Sequence, residues 1–141
     1  MTTLAANKNR IFEFKAEDIN DVPMIAADII YAGAAVGDNG SGLARPFVDG
    51  DPFLGFAVAK ADNSAGAASA ITVRVLQRGT VKLTLAGTVT AAKLADPIYA
   101  TDDDTFSIAD SGSDTAIGSL TRFISSTSGM VYFEALPVRS L

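Results

Sequence analysis

The chain has 141 residues, a formal charge of −5, and neither cysteine nor histidine. That length suits one domain with a single core, and 48% apolar against 19% charged residues is too apolar for a chain that stays disordered. Its acidity without clustered Lys and Arg argues against binding a nucleic-acid backbone. The missing Cys removes any disulfide framework, and no apolar run is long enough to span a bilayer as a helix.

Residues 1–21 are polar and turn-free, with Ile11, Phe12 and Phe14 set among Lys8, Arg10, Glu13, Lys15, Glu17, Asp18 and Asp21. No 3.6-residue period is sustained, so the segment reads as an extended N-terminal arm, or else as a frayed terminus. In a detached arm Ile11, Phe12 and Phe14 would have little to bury them. The first residues also lack the continuous apolar core of a secretory signal; the intracellular origin expected here rests on the absence of the disulfide staples that small secreted domains often need.

Residues 22–141 read as a single all-β domain, a small barrel or sandwich of about eight short strands. An apolar run at 22–31 and a shorter one at 34–36 precede a glycine-rich polar loop at 37–42. In 53–59, Leu54, Phe56 and Val58 alternate with Phe53, Ala57 and Ala59, so both faces are apolar. Such a strand is buried on both sides or lies at a subunit contact, which makes Phe53 and Phe56 candidate contact residues. Residues 71–77 and 80–85 alternate cleanly, with Ile71, Val73 and Val75 on one face and Val81, Leu83 and Leu85 on one face of the next. Arg78-Gly79 between them predicts a hairpin with one wet face. That face would carry Arg74, Arg78 and Lys82, either as a solvated surface or as a contact for an acidic partner. Thr90 is expected to cap a single helical turn before Pro97, and further strands are expected at 98–100, 105–109, 116–124 and 130–136.

The chemistry tests are mostly negative. With no His or Cys, a His-activated nucleophile and a Cys/His zinc site cannot be built. Asp49 and Asp51 flank Gly50 ahead of Pro52 and read as a turn. The run Asp102-Asp103-Asp104 reads as a polar hairpin loop, without the spaced ligands of a calcium loop. Residues 37–42 place four residues between two glycines, as a phosphate loop does, but Leu43 and Ala44 follow where Lys and Ser/Thr are required. No catalytic residue, cofactor or metal site is expected.

The segments GLARPF (42–47), GDPFLGFA (50–57), VRVLQRGTV (73–81), ADPIYATDDDTFSI (95–108), AIGSLTRFI (116–124) and GMVYFEA (129–135) occur in this order. As an ordered series over residues 22–136 they resemble the small capsid decoration, or cement, proteins of tailed bacteriophages. The resemblance implies a non-enzymatic β module on the outer capsid surface of the virion, made in the host cytoplasm during assembly. It would bind the major capsid protein and associate with itself, as a homotrimer or a dimer. It further implies an arm lying along the capsid; on the reading of the residues above, Arg10, Ile11, Phe12 and Phe14 are the candidates for that contact, and Phe53, Phe56, Arg74, Arg78 and Lys82 for subunit or capsid contacts. The other reading is a phage-associated carbohydrate-binding or fibre-like module, for which the absence of Trp and the presence of only three Tyr are unfavourable.

Overall fold

A computed structural model describes residues 3–13, 18–109, 112 and 114–135 of the chain. Phe14, Lys15 and Glu17, and the final residue of the strand expected at 130–136, lie outside the described residues. The fold is all-β, as expected, and its centre is a closed five-stranded barrel. The barrel strands are β9 (Arg78–Ala86), β10 (Pro97–Asp102), β11 (Thr105–Ser107), β12 (Thr115–Ser125) and β13 (Ser128–Glu134). They join in the order β9-β11-β10-β12-β13 and return to β9. Closure leaves no barrel strand as an open edge over its full length. All pairings in the ring are antiparallel except β11 on β9.

A second sheet covers one side. It contains β2 (Ile19–Pro23), β4 (Ala35–Asp38), β5 (Ala44–Pro46), β6 (Phe53–Ala57) and β8 (Thr72–Leu76), in the order β2-β8-β6-β4-β5. Its outer face is closed in turn by β3 (Ile29–Ile30) paired with β7 (Ala61–Asp62). Two apolar clusters result. One fills the barrel and its contact with the second sheet, from Val81, Leu83 and Leu85 through Ile98, Phe106, Leu120 and Phe133 to Phe53, Phe56 and Leu76. The other lies on the far side of that sheet and contains Met24, Ile30, Val36, Ala57, Val73 and Val75.

The two apolar faces of β6 are explained by this layering. The strand is an internal layer, with Phe53 and Phe56 only 1% and 0% exposed. The candidate contact role of both phenylalanines is therefore corrected: their surface is covered within one chain and does not call for a neighbouring subunit. Regular alternation would also put Phe53 and Phe56, three residues apart, on opposite faces. The structure puts both in the barrel cluster, because the pairing of β4 with β6 shifts register between Val36 and Gly37, leaving Leu54 without a partner. Gly55 makes the shift possible. Its φ is +129°, and an added Cβ would stand 2.2 Å from the Leu76 carbonyl oxygen.

The predicted hairpin does not form. The alternation itself is as expected, with Val73, Val75, Val81, Leu83 and Leu85 buried and Thr72, Arg74, Lys82 and Thr84 exposed. However, β8 pairs with β2 and β6, whereas β9 pairs with β11, β13 and the short strand β1 (Phe12–Glu13). The chain turns a corner at Gln77, whose N–H donates to the Asp18 carbonyl and whose carbonyl accepts from Ala135. Two alternating strands joined by a short link can thus enter different sheets when each has a better partner elsewhere. Thr90 does precede a 3-10 turn at Ala91–Lys93, in extended conformation and without a side-chain capping bond.

The expected boundary at residue 21 also moves. β2 straddles it, pairing Asn20 and Asp21 with Val75 and Arg74. The polar composition there belongs to an exposed edge strand of the domain.

Candidate functional site

The N-terminal segment is extended but not detached. β1 (Phe12–Glu13) pairs with Val81 and Thr80 of β9, further along the strand from Leu85 and Ala86, which take β11. Lys8 N–H donates to the Ala32 carbonyl at 2.8 Å, and the Ile11 carbonyl accepts from Lys82 N–H at 3.0 Å. Phe12 packs edge-on against Phe56 and Phe133, with ring centroids 5.8 and 6.2 Å away. The expectation that Phe12 lacks a place to be buried is therefore corrected. Ile11, at 60% exposed, does face outward.

Arg10 is drawn in by three kinds of contact. Its guanidinium lies 5.6 and 5.3 Å from the ring centroids of Phe56 and Phe106, the stacking geometry that suits a delocalised cation. Nε donates to the Gly33 carbonyl, and Nη2 donates to Asp104 Oδ1 at 2.7 Å. The Arg10 side chain is 4% exposed, so it is anchored inside its own chain and is not a free capsid contact. Gly33 lets the segment pass: with φ +88°, an added Cβ would stand 2.1 Å from the Lys8 carbonyl oxygen.

The acidic run is a hairpin turn between β10 and β11, as the sequence suggests, and it is also the clamp for this segment. Asp104 accepts from Lys8 Nζ at 2.9 and 3.0 Å as well as from Arg10. Burial works to raise the Asp104 carboxyl, but the bonds and charges of Lys8 and Arg10 prevail and hold it below the usual carboxylate range. Asp103 is 2% exposed and accepts the Leu4 N–H at 3.0 Å. Burial raises its carboxyl to about 6, against the Leu4 bond and Arg10 and with the neighbouring Asp102 and Asp104 carboxylates.

A raised carboxyl makes the folded state hold its proton longer than the unfolded chain does, so Asp103 opposes folding increasingly as pH rises from about 4 to about 6. Asp103→Asn should therefore gain thermal stability relative to the natural chain across that interval and hold a constant advantage above it. Melting curves from pH 4 to 8 check this, and a pH-independent difference would remove Asp103 as the cause.

Arg74 and Arg78 do not form a bare basic patch. Arg74 donates to both oxygens of Asp21, and Arg78 pairs with Asp18 at 3.1 Å. Both arginines are well exposed, so water screens each pair and neither adds much stability, but their charge is offset locally. Lys82 points outward from β9. The turn role of Asp51 holds, with its N–H donating to the Val48 carbonyl. Its carboxylate also grips Arg45 through two bonds of 3.0 and 2.7 Å. In the loop at 37–42 the Gly40 and Gly42 N–H groups donate to Asp38 Oδ1, so they serve the loop's own carboxylate and not a phosphate.

One groove stood outside the sequence reading. It has a volume of about 510 Å³ and runs between the N-terminal segment, the 25–31 turn and the stretch after β5. Leu4, Ile25, Tyr31 and Val48 line it together with Asp28 and Asp103. No single stretch of sequence carries its pattern, because its walls come from five separate regions. Among the described residues no cluster of acidic side chains has the arrangement to hold a metal ion, and no helix is long and apolar enough to cross a membrane.

No protein-family model matches the chain, and no curated protein sequence matches it significantly.

Proposed function

We propose that this chain is a structural virion protein that binds the outer surface of a phage head and stabilises contacts between major capsid protein subunits. The observation that carries the reading is the ordered series of six segments between residues 42 and 135 that resembles capsid decoration proteins. A closed barrel braced by a second sheet suits a rigid module that contributes surface and not chemistry. The chain's lack of His and Cys accords with a non-enzymatic role. Self-association, as a trimer or a dimer, belongs to the same proposal, with its contact on surfaces other than β6. Repeated copies around a head would gain from multivalency, since each attached neighbour raises the effective concentration of the next contact.

Co-sedimentation with expanded empty heads tests the reading, alongside an immobilised glycan panel. Saturable binding to heads and none to glycans is expected. Glycan binding without head binding would transfer the chain to the adhesion-module reading, and binding to neither would end both.

A further inference from the structure

We infer that the groove between the N-terminal segment and the 25–31 turn accepts a lysine or arginine side chain carried on an extended, otherwise aliphatic segment of a partner protein. The chemistry of the walls selects this occupant. Leu4, Ile25 and Val48 offer aliphatic surface, and Val48 remains 47% exposed at the rim. Asp28 and Asp103 supply negative charge within the same cavity. The one basic residue in the lining, Arg45, is already engaged by both oxygens of Asp51, so the groove as a whole favours a cation. A long basic side chain matches such a place, because its methylene stem lies on apolar surface while its head approaches the half-buried Asp28 and lies in the field of the buried Asp103. A volume of about 510 Å³ also leaves room for the aliphatic neighbours of that residue. A sugar fits less well: of the two aromatic residues in the lining, Phe47 is buried, and Tyr31 is covered by the Lys60 ammonium 5.4 Å from its ring centroid.

The groove predicts a proton-linked affinity. Asp103 is faced by Asp102 and Asp104 on its own turn and by Arg10 on the N-terminal segment, and it shares the groove with Asp28, Tyr31 and Arg45. Its carboxyl titrates at about 6, and a cation binds the ionised form, so binding releases a proton and strengthens as pH rises through that value. Only the identity of the partner as a capsid subunit rests on the proposed function; the groove's chemistry does not.

The test uses the full chain and two short probes, acetyl-Val-Lys-Val-amide and its neutral counterpart acetyl-Val-Gln-Val-amide, titrated by NMR or calorimetry. The lysine peptide is expected to bind about tenfold or more tightly than the glutamine peptide, with shifts at Ile25, Val48 and Asp103. Val48→Lys, a change on an exposed side chain, should weaken the lysine peptide by a similar factor. Between pH 7 and pH 5 the affinity of the natural chain should fall severalfold, with about tenfold the limit for a single group near 6, while Asp103→Asn should show a flat profile. Equal binding of the two peptides, no binding of either, or indifference to Val48→Lys would each overturn the inference. Assaying Val48→Lys on expanded heads separates the two proposals. Full decoration by the variant would refute the groove as the capsid contact and leave the capsid reading intact. Peptide binding as described without head binding by the natural chain would refute the capsid reading and leave the groove intact.

Discussion

Phe56→Ala is expected to lower the free energy of unfolding by about 3–5 kcal/mol, the usual cost of deleting a buried phenylalanine ring. Phe56 is 0% exposed, and its ring meets those of Phe53, Phe106 and Phe133 at centroid distances of 5.6, 5.7 and 4.8 Å. It also receives Phe12 from the N-terminal segment and lies under the Arg10 guanidinium. The substitution thus opens a cavity where barrel, second sheet and N-terminal segment meet, with little freedom for any of them to collapse into it. Domains of this kind have about 5–15 kcal/mol in total, so the variant should unfold at a much lower urea concentration. Phe56→Leu, which keeps most of the volume, should cost distinctly less. A urea midpoint for Phe56→Ala close to that of the natural chain would show that the ring cluster does not join the layers.

Arg10→Ala is the second large effect, expected at about 3 kcal/mol, the lower end of the cost of breaking a buried ion pair. The lower end applies because Asp104 keeps Lys8 as a partner. The loss includes the contacts over Phe56 and Phe106 and the bond to the Gly33 carbonyl. Lys8→Ala should cost no more than about 1 kcal/mol, since the Lys8 side chain is 45% exposed. Removal of residues 2–14 should exceed either, because Phe12 leaves the core with Arg10 and the β9 edge at Thr80 and Val81 loses its partner. This outcome is opposite to what a dispensable arm would give. Urea titrations of the three variants check the order, and an unchanged midpoint for the truncation would return the segment to the status of an arm.

Much of the fold was legible in advance. The period-two alternation of Val73 and Val75, and of Val81, Leu83 and Leu85, marked the buried faces of β8 and β9 correctly, because side chains on a strand point alternately whatever the strand pairs with. Turn chemistry likewise located the bends at Gly50 and at Asp103-Asp104. Pairing was less legible. The short link at Arg78-Gly79 suggested that β8 and β9 face each other, yet their partners are β2 and β6 on one side and β13 on the other. The groove left no trace in any one stretch, since its walls meet only after folding.

The sequence by itself determined the β class, the positions of most strands, the apolar face of β8 and β9, and the absence of histidine and cysteine chemistry, because composition and alternation are local properties. The tertiary structure alone decided what the N-terminal segment is for. Polarity at residues 8–10 read as part of an extended arm, with Arg10 a contact for a partner. In the folded chain Lys8 and Arg10 meet Asp104 across separations of 96 and 94 residues. Complementary charges that far apart carry no periodic mark, and only closure of the barrel brings the acidic turn to the place where the segment crosses it.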